Sequence, residues 1–254
     1  MSNAPPFRDR FRQGEKLVGT FIKNTDGRSV EILGLCGLDF VVVDAEHAPF
    51  DRASVDLCLL AARASATAGI VRVAELNAAH ILAALDSGAE GVLVPHIASV
   101  AQARLAVEAA RYRGGRRGFS NSPRAGAYGG ASMADHIARS DAAVTVIAMI
   151  EDAEALEQID AIVAVEGIDG FFVGRGDLAV ALGAANPNTP EIGAAVEKIC
   201  AAARSVKKPV CVMIGSAADA QPFQTMGVTA FIVSSDQGLM RQAANKVVAD
   251  FAAL

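Results

Sequence analysis

Residues 144–178 read VTVIAMIEDAEALEQIDAIVAVEGIDGFFVGRGDL and contain two apolar runs, each followed by a carboxylate. The runs Val144–Ile150 and Ile168–Val173 are typical of buried strands, and the segment between them is helix-like. A strand, a helix and a second strand in this order predict a parallel βαβ unit. The acids that follow the strands, Glu151 and Asp177, should then lie at the same, C-terminal, edge of the sheet.

The same alternation of strand and helix continues along the whole chain. Eight strand-length runs alternate with helix-like segments, and their continuous apolar character indicates burial on both faces, as in parallel sheets. This rhythm predicts a (β/α)8 TIM barrel, an α/β fold, with an open doubly wound sheet as the alternative. We expect a single domain over residues 1–254, ending in a helix over 237–254. The predicted strands are Leu17–Ile22, Phe40–Asp44, Ile70–Val73, Gly91–Pro95, Val144–Ile150, Ile168–Val173, Pro209–Ile214 and Thr229–Ser234.

Composition argues against several classes of function. The formal net charge of −5 disfavours nucleic acid or an acidic membrane as the main partner, while a small anionic substrate stays compatible with it. No uncharged apolar run reaches the roughly 18 residues of a membrane span, and the N-terminus lacks the apolar core of a signal peptide. The cysteines have no metal-type spacing, so we expect reduced core residues of a cytoplasmic protein at Cys36, Cys58, Cys200 and Cys211.

Charged residues concentrate at the predicted C-terminal strand ends, where barrels of this type place their active sites. Glu151 and Asp177 supply the oxygen ligands that Mg²⁺ or Mn²⁺ prefers and leave positions open for water and substrate. A salt bridge to Arg72 or Arg175 would explain the same acids, and an acid after a strand can also simply cap the next helix. Arg72 lies inside a short apolar strand, where a guanidinium needs an anionic partner from the protein or from a ligand.

Further candidates follow other strands of the same edge. Asp44 and His47 are three residues apart, so the carboxylate could orient the imidazole and raise its basicity, which would make His47 a general base. His96 ends the fourth strand and is another candidate. A Schiff-base aldolase would instead need a lysine inside the barrel, for which Lys23 is the candidate at this edge. The sequence contains no GxGxxG or GxxxxGK motif of a nucleotide site.

Several separate motifs follow one another at spacings that fit a known family. They are Phe40–His47, Val71–Val73, Ala84–Pro95, Arg117-Gly118 with Arg124-Ala125 and Tyr128-Gly129, Met149–Glu151 and Gly167–Leu178. Together they resemble the HpcH/HpaI family of class II, metal-dependent pyruvate aldolases. The resemblance runs from about Val18 to Leu239, nearly the whole chain, and depends on the motifs jointly rather than on any one of them.

Three departures from the family pattern fall near the expected pocket. The family's Gly-Pro-x-Asp-Leu is here Gly174–Leu178, with Arg175 in place of the proline, and Met149 stands where Gln is frequent. The loop Arg113–Arg124 lacks the expected Pro-Pro start. These changes leave the metal and enolate residues in place and affect positions that would shape the aldehyde half of the pocket. The sequence leaves open what Arg175 does and whether the Gly- and Arg-rich loop 112–130 closes over the site.

The resemblance implies a role for each candidate residue. Glu151 and Asp177 match the ligands of a divalent metal ion (Mg²⁺, Mn²⁺ or Co²⁺) that pyruvate would chelate. Arg72 matches the residue that holds the keto oxygen of the substrate and stabilises the enolate. His47 matches the acid/base residue, acting with Asp44.

The resemblance also implies supporting groups and an assembly. Asp86 matches an acid near the site, and the amides around Gly176 and Asp177 would bind the pyruvate carboxylate. The family's fold is a TIM barrel, and its members usually form a hexamer, a trimer of swapped dimers. In that assembly the last helix, residues 237–254, would pack on a neighbouring subunit.

The expected activity is therefore that of a carbon–carbon lyase. It would cleave a 4-hydroxy-2-oxo acid reversibly into pyruvate and an aldehyde through a metal-bound enolate. Oxaloacetate decarboxylation through the same enolate is an alternative. A citrate-lyase-like acyl-CoA lyase is another, and it would need a basic groove, for which Arg113, Arg116 and Arg117 are the candidates. A non-catalytic barrel that binds small acids would not need the full set of site residues.

Overall fold

The computed structural model describes residues 5–254 and shows eight parallel strands closed into a barrel. Each strand pairs with its neighbours in sequence order, and the last pairs with the first. The predicted (β/α)8 TIM barrel is confirmed, and each observed strand begins and ends within two residues of its prediction. The strands are β1 (Leu17–Ile22), β2 (Phe40–Asp44), β3 (Ala68–Arg72), β4 (Gly91–Val94), β5 (Thr145–Ile150), β6 (Gly170–Val173), β7 (Val210–Ile214) and β8 (Ala230–Ser235).

Helices connect the strands and surround the barrel. The helix predicted between β5 and β6 is interrupted at Gln158 and forms two short helices. None of the helices in residues 5–254 combines the length and the apolar character needed to cross a membrane. The helices are α1 (Phe7–Arg12), α2 (Gly27–Leu35), α3 (Arg52–Ala64), α4 (Ala78–Asp86), α5 (Val100–Ala110), α6 (Met133–Ala143), α7 (Ala153–Glu157), α8 (Ile159–Val163), α9 (Arg175–Ala181), α10 (Pro190–Ser205), α11 (Ala220–Thr225) and α12 (Asp236–Ala252).

The barrel interior is filled at its N-terminal end by aromatic side chains. Helix α1 places Phe7 and Phe11 below the strands, where their ring centroids lie 5.5 Å apart. Phe7 also lies 5.3 Å from the ring of Phe40 on β2. Because this end is filled and apolar, the opposite end, at the C-terminal edges of the strands, is the one that offers an open polar site.

All four cysteines are free thiols, as the sequence predicts. Cys58, Cys200 and Cys211 are buried, and burial raises the pKa of the Cys58 thiol to about 12 and that of Cys200 to about 11. Cys36 is exposed, so its assignment to the core is wrong. It follows directly after the end of α2.

Helix α12 presents most of its surface to solvent, and Asp236 is its buried residue. The apolar side chains of Met240, Val247, Val248 and Phe251 are 56–72% exposed. Their spacing of seven, eight and eleven residues from Met240 places them along one face of the helix. This exposed apolar face will be called the α12 face.

Candidate active site

A cavity of about 430 Å³ opens at the C-terminal ends of the strands. Its walls include His47 after β2, Arg72 at the end of β3, and Gly176 and Asp177 in the first turn of α9. The volume lies within the range of small-molecule binding sites. Four of the candidate site residues, contributed by three separate βα connections, therefore meet in one cavity.

Arg72 is held in place by a two-pronged ion pair. Its Nε and Nη2 donate to Oδ1 and Oδ2 of Asp44 over 2.9 and 2.7 Å. Asp44 is completely buried and also lies 2.9 Å from Lys23 Nζ. Burial opposes ionisation of Asp44, but the hydrogen bonds and charge of Arg72, assisted by Lys23, outweigh it and lower its pKa to about 2. Asp44 is thus the anionic partner of Arg72, and Lys23 is its counter-ion rather than the isolated amine of a Schiff-base enzyme.

His47 lies at the mouth of the cavity, with 55% of its side chain exposed. Its backbone N–H donates to Asp44 Oδ1 over 3.1 Å. In the described part of the chain the imidazole forms no hydrogen bond with Asp44, so the expected orientation of the ring by that carboxylate is wrong. Arg72 and Lys23 engage the Asp44 oxygens instead, and the acid beside the His47 ring is Glu46, with Oε2 3.9 Å from Nε2.

Glu46 belongs to the site although the sequence assigned it no role. Its Oε2 is buried and lies 3.1 Å from Arg72 Nη1, but without hydrogen-bond geometry. Among residues 5–254 this oxygen has no hydrogen-bond partner. The nearby guanidinium charge stabilises this oxygen, and the missing hydrogen bond leaves it able to accept one from a ligand or a bound water. Its place in the sequence, between Asp44 and His47, was the available signal.

Glu151 directly follows β5, and only 1% of its surface is exposed. Burial, reinforced by the charges of Asp177 and Glu46, raises its pKa to about 7, against the opposing effect of the His96 amide and ring. A Cβ atom at Gly174 would lie 2.6 Å from Glu151 Oε2. The carboxylate therefore occupies space that only a glycine at the end of β6 leaves free.

Glu151 and Asp177 fit a divalent cation better than a salt bridge. Neither acid forms an ion pair with Arg72 or Arg175 within the described residues, so the salt-bridge alternative is wrong. Within the described residues Glu151 is a buried carboxylate without an arginine or lysine partner, and its basic neighbour is the His96 ring, whose Nδ1 lies 3.5 Å from Oε1. Asp177 is exposed beside it on the cavity wall. No cluster of three or more His, Cys, Asp or Glu side chains in residues 5–254 is arranged as a metal cage. Two protein carboxylates with open positions suit a hard ion such as Mg²⁺ or Mn²⁺.

His96 closes the acidic side of the site. Its backbone has a left-handed φ of 54°, and in this conformation its N–H donates to Glu151 Oε1 over 2.9 Å. Its ring Nδ1 lies 3.2 Å from Asp152 Oδ1, and Nε2 lies 3.8 Å from Glu46 Oε1. Burial lowers the pKa of His96, but the hydrogen bond to Asp152 and the charges of Glu151, Asp152 and Glu46 outweigh it and raise the pKa. Because the strained backbone of His96 directs its N–H at the Glu151 carboxylate, we interpret His96 as a positioning residue of the site.

Asp86 does not reach this cavity within its own chain. It is the last residue of α4, which carries the chain back to the N-terminal end of the barrel, and it pairs with Arg117 Nη2 at 3.1 Å. The loop 112–130 packs outside α3 and α4, where Arg124 donates to Asp56 Oδ2 over 2.8 Å. None of its residues lines the cavity in the part of the chain that the structure describes, so the loop does not close over its own site.

Arg175 connects the segments that follow β6 and β7. Its Nη1 donates to Asn188 Oδ1 over 3.2 Å and to the Pro187 carbonyl over 3.4 Å. Its Nη2 donates to the Met213 carbonyl over 3.0 Å, and its guanidinium carbon lies 4.8 Å from the ring centroid of Phe223. The arginine that replaces the expected proline therefore has a defined position on the cavity wall.

Comparison with known proteins places this geometry in a family. The model of the family described as HpcH/HpaI aldolase/citrate lyase matches residues 17–243. The chain belongs to the HpcH/HpaI aldolase/citrate lyase family. The activities in the family's description both break carbon–carbon bonds, and the chain is a carbon–carbon lyase. The resemblance inferred from the sequence motifs is thereby confirmed.

Individual members of the HpcH/HpaI family are similar over nearly the full length. The 5-keto-4-deoxy-D-glucarate aldolase of Escherichia coli (strain K12) is 38% identical over 225 residues, covering 88% of this chain and 87% of its own. The crystal structure of a family member from Burkholderia cenocepacia J2315 is 29% identical, with a TM-score of 0.91 and coverage of 96% and 98% of the two chains. An HpcH/HpaI aldolase from Desulfitobacterium hafniense DCB-2 is 26% identical, with a TM-score of 0.92 and coverage of 99% and 98%.

Proposed function

We propose that this protein is a metal-dependent aldolase that reversibly cleaves a 4-hydroxy-2-oxo acid into pyruvate and an aldehyde. The observation that carries the proposal is the cavity in which His47, Arg72 and Asp177 meet, with buried Glu151 against its wall at Gly174. The E. coli relative is named for a sugar-derived oxo acid, which favours a sugar acid as the substrate. The cavity fits a small oxo acid rather than a macromolecule.

A divalent ion (Mg²⁺, Mn²⁺ or Co²⁺) held by Glu151 and Asp177 would supply Lewis-acid charge for the enolate of pyruvate. The protein groups beside these acids bind the rest of the oxo acid. The amides of Gly176 and Asp177 lie in the first turn of α9, where N–H groups have no carbonyl partner within the helix. They donate to the substrate carboxylate. A Cβ atom at Gly176 would meet nothing within 4 Å, so the space beside this backbone is open.

Arg72 supplies the protein's own positive charge at the reacting ketone. Cleavage of the bond between C3 and C4 leaves negative charge on the keto oxygen, and a guanidinium aimed at that oxygen stabilises the charge as it forms. The Asp44 carboxylate fixes the guanidinium through two hydrogen bonds. We therefore assign Asp44 a positioning role that acts through Arg72 and not through the His47 ring.

His47 moves the proton of the C4 hydroxyl. In the cleavage direction the imidazole removes this proton, which allows the C4 carbonyl of the aldehyde to form as the C3–C4 bond breaks. The enolate then takes up a proton at C3 from solvent, which completes pyruvate. In the synthesis direction the imidazole returns its proton to the new C4 hydroxyl. The exposed ring lies at the mouth of the cavity, where the aldehyde leaves. Asp86 has no step in this mechanism within one chain because its carboxylate pairs with Arg117 outside the cavity.

The α12 face supports a homo-oligomer, which we propose to be a hexamer built as a trimer of dimers. An apolar stripe with side chains 56–72% exposed is unfavourable in water and is typical of a surface that a second chain covers. Residues 237–254 would then be the interface helix of an otherwise single barrel domain.

The direct test measures pyruvate release from a panel of 4-hydroxy-2-oxo acids. Activity should require Mg²⁺, Mn²⁺ or Co²⁺ and stop with EDTA, because two carboxylates alone leave the enolate charge uncompensated. Activity that survives chelation, or borohydride trapping of pyruvate on Lys23, would contradict the proposal.

A second candidate activity, oxaloacetate decarboxylation, needs only the enolate half of the site. Arg72→Ala should abolish both reactions, whereas His47→Ala should harm aldol cleavage far more, because decarboxylation removes no hydroxyl proton. Equal losses in the two reactions would contradict the role assigned to His47. The acyl-CoA alternative lacks support because none of its candidate arginines, Arg113, Arg116 and Arg117, lines the cavity.

A further inference from the structure

Arg175 carries a charge that no carboxylate of the described chain pairs with. Its hydrogen-bond acceptors are two backbone carbonyls and one side-chain amide oxygen, all neutral. Every other buried or half-buried arginine of residues 5–254 forms an ion pair. These arginines are Arg8, Arg10, Arg72, Arg111, Arg117 and Arg124.

The guanidinium of Arg175 keeps donors available although it is firmly positioned. A guanidinium has five N–H groups, and the bonds to Pro187, Asn188 and Met213 use three of them. The ring of Phe223 covers one face of the group. Two remaining N–H groups and an unpaired positive charge match the two oxygens of a carboxylate.

The position of Arg175 indicates from which side an anion would approach. Arg175 lines the 430 Å³ cavity and also a neighbouring cavity of about 600 Å³. The larger cavity is also lined by Asp219, whose carboxylate caps the Ser216 amide at 2.9 Å and would repel an anion there. An anion is therefore favoured on the side of the active-site cavity, which Asp219 does not line.

We propose that Arg175 binds a carboxylate at the far end of the aldehyde half of the substrate, so that this enzyme selects 4-hydroxy-2-oxo acids with a second, terminal carboxylate. The proposal rests on the aldolase function proposed above and names its substrate class. The proposed function assigns the carboxylate of pyruvate to the amides of Gly176 and Asp177, which leaves Arg175 for the other end of the molecule. The chain's departure from the family's proline at this position would then be a determinant of specificity.

The test compares three substrates of equal length that end in a carboxylate, a phosphate or an uncharged hydroxymethyl group. The wild-type enzyme should have a kcat/KM for the carboxylate substrate about 10- to 100-fold above that for the hydroxymethyl substrate, as expected when a charged hydrogen-bond pair is lost. Arg175→Met should remove this preference by lowering kcat/KM selectively on the carboxylate substrate. Arg175→Lys, which keeps the charge but not the two-pronged geometry, should restore part of it.

A control variant separates binding from a general effect of charge. Arg204 also donates to a backbone carbonyl, that of Met226 over 3.1 Å, but it lines neither cavity. Arg204→Met should keep the wild-type preference. Equal losses on all three substrates in Arg175→Met would show that Arg175 only clamps the loops, and a wild-type preference for phosphate or hydroxymethyl would overturn the carboxylate assignment. Should Arg175→Met fail to fold, the wild-type preference and the Lys variant decide the matter.

Failure of this inference can be told apart from failure of the aldolase proposal. Exchange of the pyruvate methyl protons with deuterium needs the metal and enolate half of the site and a base that passes protons to solvent, but no group at Arg175. It is followed by NMR on the wild-type enzyme. Exchange without a preference for terminal carboxylates would overturn the role of Arg175 alone. Absence of exchange in the presence of Mn²⁺ would overturn the aldolase function itself.

Discussion

Replacement of Asp44 by Asn should destabilise the fold because it leaves a buried guanidinium without its counter-ion. The pKa of Asp44 is about 2 against an ordinary value of 3.8, a difference that corresponds to about 2 kcal/mol of stability at neutral pH. Removing one partner of a buried ion pair typically costs roughly 3–5 kcal/mol. Arg72 is only 5% exposed, but Glu46 Oε2 lies 3.1 Å from its Nη1 and compensates part of the charge. We expect a loss of about 2–4 kcal/mol for Asp44→Asn.

Thermal unfolding at pH 7.5, at one fixed protein concentration and without metal, measures this loss. For a chain of this length 1 kcal/mol corresponds to roughly 2–4 °C in Tm, so Asp44→Asn should lower Tm by roughly 5–15 °C. The matched control is Asp250→Asn, which breaks the exposed pair with Lys246, where the side chains are 61% and 75% exposed. An exposed pair contributes about 0.5 kcal/mol or less, so this variant should melt almost as the wild type does.

The pH dependence gives an independent check on the same ion pair. The pKa of Asp44 is lower in the folded than in the unfolded chain, so its contribution is complete above about pH 4 and is lost as the pH falls towards 2. The difference in Tm between wild type and Asp44→Asn should therefore shrink over this range. If Asp44→Asn melts like Asp250→Asn at pH 7.5, or if the difference does not change with acid, the reasoning about the buried pair is refuted.

Three further predictions concern the metal ligands, the close approach of β6 and the assembly. The pKa of Glu151 is raised to about 7, so the wild type loses stability as the pH rises from about 4.5 to 7. Metal-free Glu151→Gln should therefore be more stable than the wild type at pH 8 by up to about 3 kcal/mol. The same variant should lose Mn²⁺ binding in a titration followed by EPR. A less stable variant would contradict this account. Gly174→Ala should lower the free energy of unfolding by about 1–3 kcal/mol in denaturant and weaken Mn²⁺ binding, because the new Cβ would lie 2.6 Å from Glu151 Oε2. The control Gly193→Ala, whose new Cβ would have no neighbouring atom within 4 Å, should change neither property. Val248→Asp with Phe251→Asp should reduce the molar mass in light scattering, because charge on the α12 face opposes its burial, and an unchanged mass would exclude this face as the interface.

The barrel and its functional edge follow from patterns that are local in the sequence. Each strand is a continuous apolar run such as Val144–Ile150, and each is separated from the next by a helix, so burial on both faces and parallel order leave few alternatives. Parallel order then places the residues after all strands, Glu151 and Asp177 among them, at one edge. The residues at this edge can be predicted without knowing the register in which neighbouring strands pair.

Which charged side chains pair with one another at this edge could not be predicted in the same way. Spacing suggested that Asp44 orients His47, but a carboxylate that follows a barrel strand can meet side chains from either neighbouring strand. The β2–β3 register places Arg72 opposite Asp44, and Lys23 approaches the same carboxylate from the end of β1. These two cations, rather than the His47 ring, therefore occupy the Asp44 oxygens. A spacing of three residues says nothing about such neighbours from other strands.

By itself, the sequence determined the eightfold alternation, the acidic and basic residues at one edge and the family motifs, because each of these depends on residues close together in the chain. Only the tertiary structure decided which charges compensate one another. Within residues 5–254 it placed Asp86 beside Arg117 outside the cavity, left Glu151 buried beside His96 but without an arginine or lysine partner, and left Arg175 positioned by neutral oxygens without a carboxylate. The physical reason is that the energy of a charge depends on its burial and on its neighbours within a few ångströms, and in a barrel those neighbours come from different strands.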